Sequence, residues 1–387
     1  MILIKNANLI SMAKINYEIN DILVEEGKIR KVGKLDTKDY PRAEVIDAKA
    51  NYVTPGLVDP HCHIGLFEEA IRSEGADGNE VTDPVTPEMR AIDAIKPQDT
   101  AFKEALAAGV TTVCTGPGSA NIIGGVFSII KTKGKTIDDM IVVAESSIKM
   151  ALGENPKRVY GGQSKAPYTR MATAAIARES LIKAKDYKEK QDQYKNDLAQ
   201  GKECSKPEYN AKWESLSRVF DGFPVKIHAH QQDDIVTAIR LIEEFDLNAT
   251  IDHATEGYLI PEYLKQHNAK VILGPTFGTK SKYELRNSSF TAGKVISESG
   301  IKFAIMTDHP VIHSANALTH ASLFVREGLD ELEALKAVTI YAAEINNIAN
   351  RVGSIEVGKD ADIVIWNGHP FHYLTKPEKV IVNGEIV

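Results

Sequence analysis

Pro55-Gly56-Leu57-Val58-Asp59-Pro60-His61-Cys62-His63 is the stretch on which the fold of this chain turns. An apolar run ends in two histidines separated by one residue. Side chains at i and i+2 of an extended strand point the same way, so His61 and His63 aim their imidazoles at one point. Imidazole nitrogens suit zinc and other transition metals. An isolated His-x-His is more often a pair of loop histidines, and the remaining strands reverse that preference.

Outward from this run the middle of the chain alternates between strand and helix. Strands are expected at Tyr52–Val58, Val110–Thr115, Val126–Lys131, Met140–Lys149, Val225–Ala229, Ala249–Asp252, Lys270–Gly274 and Phe303–Thr307. Helices such as Gln98–Ala108, Met171–Gln200, Asp233–Phe245, Thr291–Gly300 and Glu331–Ala349 lie between or after them. This pattern predicts a parallel sheet, and eight strands fit a closed (β/α)8 TIM barrel over residues 55–352; an open doubly wound sheet is the rival. Both ends of the chain read as short β-rich segments with turns at Glu26-Gly27 and Asn383-Gly384. Residues 1–54 and 353–387 are therefore expected to form one small β-sandwich domain. The polar stretch at about 185–221 is expected as a helical excursion over the barrel mouth or at an oligomer contact.

Histidines and aspartates recur at the ends of the other strands. His228 and His230 end the fifth, Asp252-His253 the sixth and Asp308-His309 the eighth. A barrel brings all its C-terminal strand ends to one face, so residues far apart in sequence converge there. A metal lowers the pKa of bound water, and a carboxylate beside it, here Asp308, can take that proton and return it to a leaving nitrogen. On the fourth strand, alternation places Glu145, Ser147 and Lys149 on one face. Lys149 could join the site as a carbamate formed with CO₂; otherwise it is a substrate-binding or surface cation.

The bulk properties agree with a soluble enzyme. The 387 residues are 43% apolar and 26% charged, enough for a large barrel with a companion domain. A net charge of −7 argues against a nucleic-acid surface. Three scattered cysteines make no disulfide framework and suit a reducing cytoplasm. No run is long and apolar enough to span a membrane, and Met1–Lys5 does not open a signal peptide. The expectation is a cytoplasmic protein with a small-molecule substrate and neither nucleic-acid nor membrane partners, and a homo-oligomer is left open.

Val53 to His63 resembles the N-terminal metal motif of the amidohydrolase superfamily. Gly353-Ser354-Ile355-Glu356-Val357-Gly358-Lys359-Asp360-Ala361-Asp362-Ile363-Val364 resembles its C-terminal signature, and Lys226 to Gln231 is most similar to the branch of imidazolonepropionase and prolidase-like enzymes. The resemblance implies His61, His63 and Asp308 on one metal. It implies His228 and His253 on a second, or His228 alone joining a mononuclear site. Ile148-Lys149-Met150 is similar to the strand that carries the bridging carboxylated lysine in dinuclear members; Glu145 is the substitute, with Glu154 behind it. The cofactor implied is a divalent metal, zinc first, as one or two ions per chain. Asp308 and His253 are the expected catalytic residues, and His230 and His309 are expected against substrate.

Two features depart from imidazolonepropionase. Lys149 is one, since such members usually lack the lysine. The other is Gly153–Gly161, where Arg158 and Tyr160 could bind a substrate carboxylate, or the segment could be a Pro/Gly surface loop. The activity expected is hydrolysis of an amide or cyclic-amide C–N bond in a small molecule by metal-activated water. The alternatives are a prolidase-like dipeptidase, a heterocycle deaminase and a non-catalytic scaffold relative.

Overall fold

The computed structural model describes residues 1–13 and 18–387. Eight strands form the barrel: β1 (Leu57–Cys62), β2 (Val110–Thr115), β3 (Ile123–Lys131), β4 (Ile141–Ala151), β5 (Val225–Ala229), β6 (Ala249–His253), β7 (Lys270–Leu273) and β8 (Phe303–Ile305). They are hydrogen-bonded in sequence order. The ring closes between the ends of β8 and β1, where Asp308 N donates to His61 O at 3.1 Å and His63 N to His309 O at 2.9 Å. Every residue of β1, β2, β3, β5 and β6 is buried, as expected of strands covered on both faces.

One strand departs from the all-parallel expectation. β3 runs antiparallel to both β2 and β4, while the other neighbouring pairs are parallel. The link from β2 to β3, Gly116–Ile122, is too short for a helical crossover, which needs a dozen or so residues. The chain can only turn back on itself there. The fold is still an α/β barrel of the TIM type.

The expected first strand, Tyr52–Val58, is divided. Tyr52–Pro55 lies in a second sheet, between Ile2–Leu9 and Ile363–Trp366, and β1 begins at Leu57. The division falls at Gly56, where an added Cβ would sit 2.1 Å from Thr111 Oγ1. Only glycine lets the chain pass this close to β2. Among the described residues the second sheet has eight strands, drawn from both ends of the chain. Its core includes Ile4, Ile22, Val53, Ile363 and Ile381. Lys131, at the end of β3 and 2% exposed, reaches Asp362 at 2.7 Å and Asp360 at 3.1 Å. The C-terminal signature thus fastens the second sheet to the barrel with a buried ion pair.

The excursion is built on the helix Arg170–Ala199, capped by Thr169, whose side chain accepts from Ala172 N. Its buried positions Thr173, Ala177, Leu181, Ala184 and Tyr187 follow helical spacing, and they pack with Ala211–Ser217. Arg170 pairs with Asp234 at 2.8 Å, just beyond β5. Glu154–Gly161 is a helix, not an open loop. Among the described residues no helix is long and apolar enough to cross a membrane.

Candidate metal centre

The expected residues meet at the C-terminal ends of the strands. His61 and His63 leave β1 with Asp308 beside both: His63 Nε2 is 3.0 Å and His61 Nε2 3.6 Å from Asp308 Oδ1. Lys149 Nζ, fully buried on β4, is 3.2 Å from His61 Nε2. Across the mouth, His228, His230 and His253 pack ring against ring, with centroids 4.2–4.6 Å apart. Ligand atoms of these three lie within 4.8 Å of one another, and so do those of His61, His253 and Asp308. His253 therefore belongs to both groups.

Each imidazole is oriented through its other nitrogen. His63 Nδ1 meets Gly116 O at 2.7 Å and His253 Nδ1 meets Gly274 O at 2.9 Å, so both donate from Nδ1. His61 Nδ1 is 2.5 Å from Asp252 Oδ2. His228 and His230 set Nδ1 against the hydroxyls of Ser119 and Thr255, at 2.9 and 2.7 Å. The Nε2 atoms of His228, His230 and His253 are buried without a hydrogen-bond partner. Such groups are costly unless something binds them. Three unpartnered imidazole nitrogens aimed at one small volume fit a divalent transition metal.

Electrostatics favours ligand-competent forms. Burial, then the Lys149 amine, pushes His61 down to about 3. His228, His230 and His253 are held well below the ordinary histidine value by burial, and neighbouring positive groups add to this. For Asp308 burial acts upward, but the hydrogen bond and charge of His63 outweigh it and hold the carboxyl well below its usual range. Asp252, beneath the site, is treated alike: burial is outweighed by Lys226, 3.2 Å away, and by His61. Backbone conformation is distorted at two of these positions. His253 has φ +77° and Asp308 φ +54°, a left-handed region that costs of order 1–3 kcal/mol per non-glycine residue and clusters at functional sites.

Other candidates lie elsewhere. Glu145 points away from the centre, bonded to Arg218 and 3.6 Å from Arg90, so Lys149 is the residue β4 sends inward. Glu154 offers only its backbone N–H, to Glu284 Oε2. Tyr160 is wholly buried, its hydroxyl 2.5 Å from Asn121 Oδ1 and 2.8 Å from Asp83 O, where it braces the 80–86 segment. Arg158 is exposed on its helix. His309 is buried, accepts at Nδ1 from Ser314 N, and stacks edge-on to His313 with centroids 4.9 Å apart.

Two features escaped the sequence reading. Glu284, in the irregular segment after β7, is fully buried with Oε1 3.6 Å from His230 Nε2 and 3.8 Å from His228 Nε2. No motif marks it. A cavity of about 130 Å³ lies beside β3, lined by residues that include Asn79, Met89, Arg90, Pro117 and Gly124. Gly124 backs onto Lys149: an added Cβ would sit 3.4 Å from the Lys149 Cβ. The reversed β3 builds this cavity, which strand alternation could not foretell.

A barrel whose strand ends gather imidazoles, a lysine and an aspartate in this way defines a hydrolase of the amidohydrolase class. Residues 52–387 match the amidohydrolase family, and the chain belongs to it, a family of enzymes acting on carbon–nitrogen bonds. Among solved structures the chain is similar to an amidohydrolase from Thermotoga maritima MSB8, with 42% identity, a TM-score of 0.93, and coverage of 100% of this chain and 99% of that one. It is 30% identical to amidohydrolase tasK of Hapsidospora irregularis over 95% of its own length, but spans only 39% of that longer protein. It is 27% identical to an imidazolonepropionase of Bacillus cytotoxicus, covering 90% of this chain and 84% of the relative.

Proposed function

We infer that this protein hydrolyses an amide or cyclic-amide C–N bond of a small molecule, using water activated at a divalent metal centre. The observation that carries the reading is the trio of buried, unpartnered Nε2 atoms on His228, His230 and His253 beside the His61–His63–Asp308 group. His61, His63 and Asp308 would hold one ion, and His228 and His253 a second. Zinc suits the nitrogen-rich donor set. A bound ion supplies a Lewis acid that polarises a carbonyl and acidifies water.

The chain's own groups do the rest. Asp308, kept ionised by its imidazole neighbours, accepts the proton of the attacking water and delivers it to the leaving nitrogen. His253 stands between the two groups and ties them together. Lys149, lowered to about 8 by burial, carries a larger neutral fraction than a surface lysine, and the neutral amine is the form that CO₂ converts to a carbamate. That carbamate would bridge the two positions. We assign the cavity beside β3 to substrate; His309, buried against Ser314 and His313, does not line it.

Dipeptidase and deaminase activities are the competing chemistries; the exposed Arg158 and the engaged Tyr160 give no support to a carboxylate anchor there. A scaffold without catalysis is disfavoured because every expected ligand type is present. The protein is read as cytoplasmic, acting on a small molecule without nucleic-acid or membrane partners, with self-association left to measurement. The test is metal analysis of purified protein together with assays on lactam, dipeptide and aminated-heterocycle panels. Lactam turnover abolished by Asp308→Asn supports the reading. Absence of a transition metal and of hydrolysis across the panels would end it.

A further inference from the structure

We propose that Lys282 is a substrate-recognition residue: Glu284 holds its ammonium beside the imidazoles of the candidate metal centre, where it takes the carboxylate of an anionic amide substrate. This rests on the metal-dependent reading above and deepens it, since that reading leaves the charge of the substrate open.

The position of the ammonium follows from Glu284. Lys282 Nζ lies 3.1 Å from Glu284 Oε1, and that oxygen lies 3.6 Å from His230 Nε2 and 3.8 Å from His228 Nε2. The two longer separations exceed a hydrogen bond, whose N···O distance is about 2.7–3.2 Å, so the partner of this oxygen is the lysine. One ion-pair length therefore separates the ammonium from an oxygen that already faces the imidazoles. Its charge is felt there: after burial, Lys282 is the largest influence holding His228 below the ordinary histidine value, ahead of Lys149. An ammonium has three N–H donors, and Glu284 takes one. Among the described residues no other acceptor meets Nζ, and the side chain is 22% exposed. Two donors are left for a ligand.

Glu284 is a fixed anchor. It is fully buried, and its Oε2 accepts from Glu154 N at 3.0 Å. Gly153 makes room: its φ is +79°, and an added Cβ would come 2.8 Å from Glu284 Oε2. Arg286, 4.1 Å from the ring centroid of Tyr283, ties the same segment to Gln231 at 3.0 Å and to Glu256 at 3.2 Å. A lysine held in this way gives up less side-chain freedom when a ligand binds. The other cations near the mouth are committed: Lys149 beside His61, Lys226 to Asp252, and Arg286 to Gln231 and Glu256. Two open donors suit one carboxylate. A phosphate, with three oxygens and about two charges, would call for a second free cation. With the scissile carbonyl at the metal centre, a carboxylate in reach of Lys282 sits a few bonds away, as in an N-acyl amino acid or a lactam with an acidic substituent.

Binding of metal-directed probes to zinc-loaded protein tests this without turnover. The probes are the monohydroxamates of malonic, succinic and glutaric acid, each measured by titration calorimetry beside its counterpart with a primary amide in place of the carboxylate. The hydroxamate seeks the metal, and the three lengths vary the reach to Lys282. Wild type is expected to bind at least one acid about ten- to a hundredfold tighter than its amide, as hydrogen bonds to a charged group allow. Lys282→Arg should keep that ratio. Lys282→Met should abolish it, and so should Lys282→Gln, which can still donate to Glu284 and so guards against simple misfolding. Equal binding of acid and amide at all three lengths overturns the proposal while leaving the metal reading intact. So does a ratio that survives in the Met and Gln variants, both members weakening alike because Lys282 only steadies Glu284. Loaded protein that binds none of the six probes overturns the proposal as well, and a chain that takes up no zinc overturns both readings.

Discussion

Asp252 Oδ2 lies 2.5 Å from Nδ1 of His61 and 3.2 Å from Nζ of Lys226, so a buried carboxylate joins an imidazole of the candidate metal centre to the buried Lys226 side chain below it. Asp252 accepts the hydrogen bond of His61 Nδ1–H, which leaves the Nε2 lone pair of His61 facing Lys149 and Asp308. Orienting contacts of this type are worth about 10–100-fold in metal affinity. Asp252→Asn is expected to lose metal by that factor in a chelator competition, and also to lose about 3–5 kcal/mol of stability because Lys226 is left unpaired. Adding Lys226→Met should recover stability in denaturant melts but not affinity. Recovery of both would mean that Asp252 serves folding alone.

Lys149 carries the carbamate prediction. Protein loaded with metal in ¹³C-bicarbonate should show one carbamate resonance, absent from Lys149→Met. If wild type lacks the resonance while remaining active, Lys149 acts as a plain amine and the bridge must be abandoned.

The buried histidines set an acid limit. His61, His309 and His320 are each pushed to about 3, chiefly by burial, against an ordinary value of about 6.5 in the unfolded chain. Between these values the unfolded state binds more protons, so stability falls as pH drops below about 6.5. At about 1.4 kcal/mol per pH unit for each group, the three together cost roughly 4 kcal/mol per unit near pH 5. Asp59 opposes them: burial raises it to about 6, so in this window it binds its proton in the folded state first. Metal-free protein should therefore lose stability steadily from pH 6.5 to 4 in denaturant titrations, and flat stability over that range would contradict the burial of neutral imidazoles.

Lys131 fastens the two sheets through Asp360 and Asp362. Removing one partner of a buried pair costs about 3–5 kcal/mol, so Lys131→Ala should lower the unfolding midpoint sharply. Lys28 and Arg351 still neutralise Asp360, at 2.6 and 2.9 Å, which leaves the buried Asp362 as the carboxylate without a cation. Asp362→Asn in the Lys131→Ala background should return part of the stability; a thermal melt reads the difference.

Local rules carried much of the site. An i, i+2 pair on a strand must share a face, which placed His61 with His63 on β1, and strand ends of a barrel share a rim, which called His228, His253 and Asp308 to it. Alternation on β4 put Lys149 on one face with Glu145, but the irregular pairing of β3 with β4 between Val143 and Ser147 separates them: Lys149 turns to His61, and Glu145 to Arg218 and Arg90 outside. These inferences needed only periodicity and chain direction. Tertiary structure decided what depends on contacts distant in sequence: the reversal of β3, the division of the first strand at Gly56, the engagement of Tyr160 with Asn121, and the arrival of Glu284 from an irregular segment. It also decided the left-handed backbone at His253 and Asp308, which closed packing imposes against local preference. A sequence records which side chains alternate along a strand, because that is set by neighbouring covalent geometry. Which oxygen meets which nitrogen across the barrel mouth is set only when the ring of strands closes and the loops between them come to rest.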